Sequence, residues 1–158
     1  MDKQVGSVSA IWMSDQKTTI SECSKKVLSF LELLKQHNPD LFGRWYEKGR
    51  SKKDALKKEV KLDEMYFYGN LSKNWDKKFD DLGARISYWN GHEDESESAS
   101  IGFTIGAYGI KSFNKNSCVV SLPKGSDFYR SKENQDALIS LFDNYWSPNR
   151  LLVDGEEV

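Results

Sequence analysis

The hydrophobic pattern changes its period along the chain, and the changes mark out the elements. Val5 to Met13 alternates and carries β-branched residues, which predicts an opening strand. Thr19-Ile-Ser-Glu22 reads as a capping box, with the hydroxyl and the carboxylate satisfying the first free backbone amides. The helix it opens runs to about Gln36. Cys23, Val27, Phe30, Leu31 and Leu34 recur at three- and four-residue spacing, which gives one buried stripe. Asn38-Pro39 ends that helix. Leu41 to Tyr46 is a short turn anchoring Phe42 and Trp45, and Ser51 caps a short basic helix reaching about Val60. Residues 62–80 carry mixed signals of helix and loop.

From Leu82 the period drops to two. Leu82–Trp89, Ser98–Tyr108 and Ser117–Leu122 predict three strands of an antiparallel meander, with a turn at Asn114–Asn116 and a stop at Pro123. Gly102, Gly106 and Gly109 suggest bulges or close backbone approach. Lys132 to Trp146 is a final helix with Ala137, Leu138, Leu141, Phe142 and Tyr145 on its apolar face, stopped at Ser147-Pro148. The tail Leu151–Val158 is apolar, then acidic. The expected order is β-α-α-β-β-β-α: an α+β domain covering residues 1–158, its meander packed against N-terminal and C-terminal helices.

Length and composition are consistent with that. A 158-residue chain buries a sizeable core, and 5 Trp, 7 Tyr and 8 Phe supply large apolar areas despite a hydrophobic content of 38%. Met1 to Ala10 has no apolar run of signal-peptide length, and no stretch reaches the roughly 18 apolar residues of a membrane span. Cys23 and Cys118 are far apart and form no CxxC pair, and His37 and His92 are the only histidines, so metal binding by Cys/His spacing is not expected. A cytoplasmic location with reduced thiols follows as the expectation.

Charge is near neutral overall, at −1, but uneven. Arg44 to Lys61 holds eight basic and three acidic residues, a local +5 that leaves −6 for the rest. Glu93, Asp94, Glu95 and Glu97 place four carboxylates within five residues, directly after Trp89-Asn90-Gly91. Asn90-Gly91 reads as a turn that needs positive φ, so the carboxylates sit on the tip of a hairpin. Such a cluster steers a basic partner, raising association rate and discrimination more than affinity.

Catalytic signatures are missing. No GxSxG, P-loop or HExxH occurs. Gly102-Phe-Thr-Ile-Gly106 lies within a strand and opens no helix, so it is not a phosphate loop. Cys118 reads as a small buried strand residue, and His92 beside Glu93 as a solvated loop pair. The basic segment interleaves Trp45 and Tyr46, which supports a second reading: a nucleic-acid-binding module using Arg44, Lys48, Arg50, Lys52, Lys53 and Lys57. A small enzyme of unrecognised type is a third.

One set of residues goes beyond these patterns. Trp45, Gly49-Arg50-Ser51, Asp54-Ala55-Leu56, Trp89-Asn90-Gly91, Gly106-Ala107-Tyr108, Asn116-Ser-Cys-Val-Val-Ser-Leu-Pro123, and Trp146 with Pro148, taken in order, resemble the immunity protein 52 family. The resemblance runs from about Trp12 to Pro148. It implies an α+β antidote that binds a toxin of bacterial polymorphic or type VI secretion systems, often one with a restriction-endonuclease-like nuclease domain. It implies no catalytic residues and no cofactor. It also implies a continuation past the Trp-x-Pro element, whereas this chain ends at Val158. Ser51 and Asn90-Gly91 are expected to specify the fold. The expected toxin-binding residues are Glu93, Asp94, Glu95 and Glu97 for steering, with Tyr88, Trp89 and Tyr108 as aromatic anchors. The cognate toxin is the expected partner. No membrane and no direct nucleic-acid contact are expected, and self-association into a homo-oligomer stays open.

Overall fold

The structure is a computed structural model that describes residues 4–109 and 114–158. Seven antiparallel strands form one sheet in the order β2-β3-β4-β5-β1-β6-β7: β1 Ser7–Trp12, β2 Tyr46–Glu47, β3 Ala84–Trp89, β4 Ser100–Ile105, β5 Asn116–Ser121, β6 Arg150–Val153 and β7 Glu156–Glu157. The three expected meander strands are β3, β4 and β5, and the protein is α+β as expected. The opening strand does not stand apart. It pairs along its length with β5 on one side and with β6 on the other.

Helices α1 (Ile20–His37), α4 (Glu64–Asn74) and α5 (Lys132–Trp146) cover one face of the sheet, while α2 (Pro39–Phe42) and α3 (Lys52–Ala55) are single turns. The α1 stripe is as expected. Val27, Phe30, Leu31 and Leu34 are fully buried, each contributing about 1.5–3 kcal/mol by leaving water. Phe30 is the hub of the core, edge-on to Phe103 and Phe142 and tilted against Tyr145 and Trp146. Trp146 in turn stacks on Trp12 at 4.5 Å. Cys23 and Cys118 are free and buried, and burial raises both thiols above their ordinary range.

Side chains alternate between the two faces of each strand. Ala84, Ile86 and Tyr88 point into the helical layer, whereas Arg85 and Ser87 face water. On the uncovered face the neighbours of Arg85 and Ser87 are Thr104 and Gly102, and beyond them Ser117 and Val119. These residues line a shallow depression of about 280 Å³. Hydroxyls at alternate positions are what a solvated sheet face requires.

Several local expectations change. Thr19 Oγ1 accepts the Glu22 N–H (3.1 Å), but the Glu22 carboxylate takes the Thr18 hydroxyl (2.9 Å) in place of the reciprocal backbone bond. The basic helix stops at Ala55, because Tyr46 bridges to Glu59 and the chain there is extended. The 62–80 region resolves into α4, capped by Asp63 (Tyr66 N–H to Oδ1, 2.7 Å), and a 3₁₀ turn at Asp80–Leu82. Ala137 is exposed, and the buried stripe of α5 is Leu138, Phe142 and Trp146. The tail is a hairpin. Asp154 and Gly155 both have positive φ (54° and 80°), the requirement of a tight two-residue turn. The Asp154 carboxylate also accepts the N–H groups of Gly6 and Ser7, at 2.7 and 3.0 Å, hooking the hairpin onto the start of β1.

Candidate functional site

The acidic segment is not a tight hairpin tip. Residues 90–99 form a ten-residue loop between β3 and β4. Only Gly91 has positive φ (84°), and Asn90 does not. Asn90 instead acts through its side chain, which is buried at 4% exposure. Its Nδ2 donates to the carbonyls of Leu41 (3.1 Å) and Glu97 (2.8 Å). Its Oδ1 accepts the N–H groups of Ala99 (3.0 Å) and His92 (3.3 Å). The Asn90 N–H completes the neck by donating to the Ala99 carbonyl. One side chain thus ties both ends of the loop together and fastens them to α2. Gly91 lies flat against the Tyr46 ring, where a Cβ would sit 2.4 Å from a ring carbon.

Beyond this neck the carboxylates stand in water: Glu93, Asp94, Glu95 and Glu97 are all exposed. Asp94 Oδ1 accepts both the N–H and the hydroxyl of Ser96 (2.9 and 2.8 Å), and the Glu97 N–H donates to the Asp94 carbonyl. The Ser96 donors hold the Asp94 carboxyl below its ordinary range, so it is ionised at neutral pH. His92 Nε2–H donates to the Asp40 carbonyl (3.0 Å), while Nδ1 lies 3.6 Å from Glu97. The tip is therefore a locally hydrogen-bonded turn of one charge sign, not a free tail.

The three aromatic residues expected beside it separate. Trp89 is half-buried at the end of β3, its Nε1–H donating to Ser98 Oγ (3.0 Å) at the root of the loop. Tyr88 points the other way. It is 1% exposed, its hydroxyl donates to Asn70 Oδ1 (2.7 Å), and Asn70 Nδ2 reaches Glu47, to which Tyr66 donates as well. Burial pushes the Tyr88 and Tyr66 hydroxyls far up, with Glu47 adding to both, so they stay protonated. Tyr88 belongs to a polar seam between α4 and β3 and presents no ring to a partner, because strand alternation turns it inward. Tyr108 lies past the far end of β4, separated from the loop by the length of that strand, about 20 Å. There its hydroxyl donates to Asp80 (3.1 Å), which also holds Lys17 (3.2 Å). Tyr108 and the acidic tip therefore do not share a patch.

The basic segment is likewise redistributed. Trp45 is fully buried, stacked on Phe42, and offers no platform for a base. Asp54 accepts the Arg50 N–H and pairs with Lys58 at 3.5 Å, and these contacts hold its carboxyl below the ordinary range. Lys48 and Lys52 instead line a groove with Gly49, Ser51, Ala55 and Trp89. That juxtaposition of a β3 residue with the 48–55 segment was not legible from spacing; the only local signal was Gly49, where a Cβ would lie 2.4 Å from the Asp54 carboxylate. Among the described residues, no three His, Cys, Asp or Glu side chains are grouped to hold a metal ion. Nor is any helix long and apolar enough to cross a membrane.

A family profile described as Immunity protein 52 matches residues 6–130. The chain belongs to the immunity protein 52 family. The match spans β1 through the 3₁₀ turn before α5, and so includes the Asn90 clasp, the acidic loop and the groove beneath Trp89. The Trp146–Pro148 element lies outside it. No curated protein matches the chain. Membership makes this an immunity protein, in which surfaces for a toxin are the features of interest.

Proposed function

We propose that this chain is an antidote that binds a cognate toxin and blocks it sterically and electrostatically, with no chemistry of its own. The toxin is a secreted effector with a nuclease domain, and it is held in the cytoplasm of the producing cell. The observation that carries the reading is the acidic loop: four exposed carboxylates on a turn whose neck is tied by one buried asparagine. A nuclease must present cationic surface to phosphates. A pre-formed array of carboxylates meets that surface without first ordering a loop, which lowers the cost of binding. Glu93, Asp94, Glu95 and Glu97 serve steering, and Trp89 at the loop root supplies the aromatic anchor.

The test needs the toxin domain encoded beside this chain, co-expressed and purified. Replacing the four carboxylates with Asn or Gln should lower the association rate roughly 10- to 100-fold at low salt, with a much smaller difference at 0.5 M salt. Protection of cells expressing the toxin should weaken in parallel. An unchanged association rate at low salt would show that this loop is not the toxin-facing element.

A further inference from the structure

Trp89 connects two features of opposite charge. One edge of its indole is fixed to the root of the acidic loop through Ser98. The ring also forms a wall of a groove of about 260 Å³, completed by Ala55, Gly49 and Ser51 and flanked by Lys48 and Lys52. Among the described residues, Lys48, Arg50, Lys52 and Lys53 pair with no carboxylate, since the nearby Asp54 is already engaged by Lys58 and the Arg50 N–H. Lys48, Arg50, Lys52 and Lys53 thus place four cations within six residues. The groove also stays open for structural reasons. Gly49 packs its backbone against α3, with no room for a Cβ, and Ala55, which lines the groove together with Trp89, is small and buried.

We propose that this groove is a second docking element for the toxin, taking one apolar or aromatic side chain flanked by carboxylates. The inference rests on the antidote reading above and adds what the partner must present. The volume falls short of the roughly 300–1,000 Å³ of small-molecule pockets and suits a single anchoring side chain. An aromatic wall with a polar rim is the setting in which such anchors dominate binding energy. Lysines at the rim contribute selection more than affinity, and here they select carboxylates next to the anchor. Because the acidic loop and the basic groove meet at Trp89, a partner must carry a basic patch and an acid-flanked knob in matching order. A partner docked the other way round would set like charges against each other at both ends. The pair of elements therefore fixes orientation as well as identity.

The test uses the full chain without toxin. The ¹⁵N-labelled protein is titrated with the peptide acetyl-Glu-Asp-Phe-Asp-Glu-amide, with the same peptide carrying Ser for Phe, and with a short oligothymidylate. The expected result is a saturable, millimolar-range shift of the Trp89 indole N–H and of the 48–55 amides by the Phe peptide alone. The double charge reversal Lys48→Glu/Lys52→Glu lies on the surface and should weaken that binding at least about tenfold, with the rest of the spectrum unchanged. Absence of localised shifts, or equal shifts from the Ser peptide, would overturn the proposal. Shifts from the oligothymidylate alone would overturn it too, and would assign the groove to nucleic acid. Because the carboxylates of 93–97 are not altered and no toxin is present, failure of the peptide titration leaves the acidic-loop reading standing, and failure of the acidic-loop test leaves the groove's ligand preference standing.

Discussion

Asn90→Ala removes the clasp of the acidic loop, and its cost can be worked from the contacts. Four hydrogen bonds are lost, two in fully buried surroundings and two partly buried. A typical bond contributes about 1 kcal/mol net, and a buried group left without a partner costs about 1–3 kcal/mol. The Ala99 N–H and the Leu41 carbonyl are the groups so exposed to loss, since both residues are buried. The His92 N–H, at 3.3 Å on the rim, is readily recovered by water. Freeing the asparagine side chain returns up to about 1 kcal/mol of rotamer entropy. The balance is a destabilisation of about 3 kcal/mol, measured by urea unfolding. At this chain length, roughly 2–4 °C per kcal/mol places the melting temperature about 6–12 °C lower. Amide exchange at Ala99 should accelerate as well, because its acceptor is gone. Asn90→Asp keeps both acceptor roles but turns a carboxylate toward two carbonyls, so it should be at least as damaging at neutral pH. A change below about 0.5 kcal/mol in Asn90→Ala, with Ala99 protection intact, would refute the clasp and with it the pre-organised loop.

Other outcomes follow from the same contacts. Gly91→Ala should cost about 2 kcal/mol or more, from positive φ and from the Cβ meeting Tyr46, and should alter the near-ultraviolet dichroism of the displaced ring; no loss of stability would show that the turn tolerates a side chain. Phe30→Ala should cost about 3–5 kcal/mol in urea titration, since it empties the contact point of four other rings, and a cost below about 1 kcal/mol would move the centre of the core elsewhere. His37 gives a pH dependence. Burial lowers its pKa, so the folded state favours the neutral ring, whose Nε2 lies 2.9 Å from the Tyr129 hydroxyl oxygen. The unfolded chain binds the extra proton, so this stabilisation is complete above about pH 6.5 and declines as pH falls through the lower folded value. Urea stabilities of the parent and His37→Gln at pH 7.5 and 5.5 should therefore differ less at the lower pH, and a parallel fall in both would remove His37 as the cause.

Two dipeptides show where the sequence was readable and where it was not. Asn90-Gly91 has the composition of a tight hairpin turn, yet the chain after it is polar and leaves no strand to pair at once. The asparagine became a side-chain clasp for a longer loop. Asp154-Gly155 carries the same signal and does make the two-residue turn, because Glu156 pairs directly with Val153. Periodicity served the elements that have one wet face: α1, β3, β4 and β5 were all visible. It could not place β1 between β5 and β6, since that pairing depends on residues more than a hundred positions apart.

The same limit governs the site. Charge run and exposure made the four carboxylates legible, because solvated residues keep in the fold the character they have in the sequence. The aromatic residues could not be assigned that way, since burial depends on which face a strand position takes. One residue separates Tyr88 from Trp89, and that single step puts one under α4 and the other in the groove beside Lys48 and Lys52. The 44–61 basic run reads in sequence as one patch, but folding turns Trp45 inward, engages Lys58 with Asp54, and leaves Lys48 and Lys52 lining a groove with Trp89. Two charge clusters more than 30 residues apart in sequence thus both adjoin one indole in the fold, the acidic loop through Ser98 and the lysines through the groove.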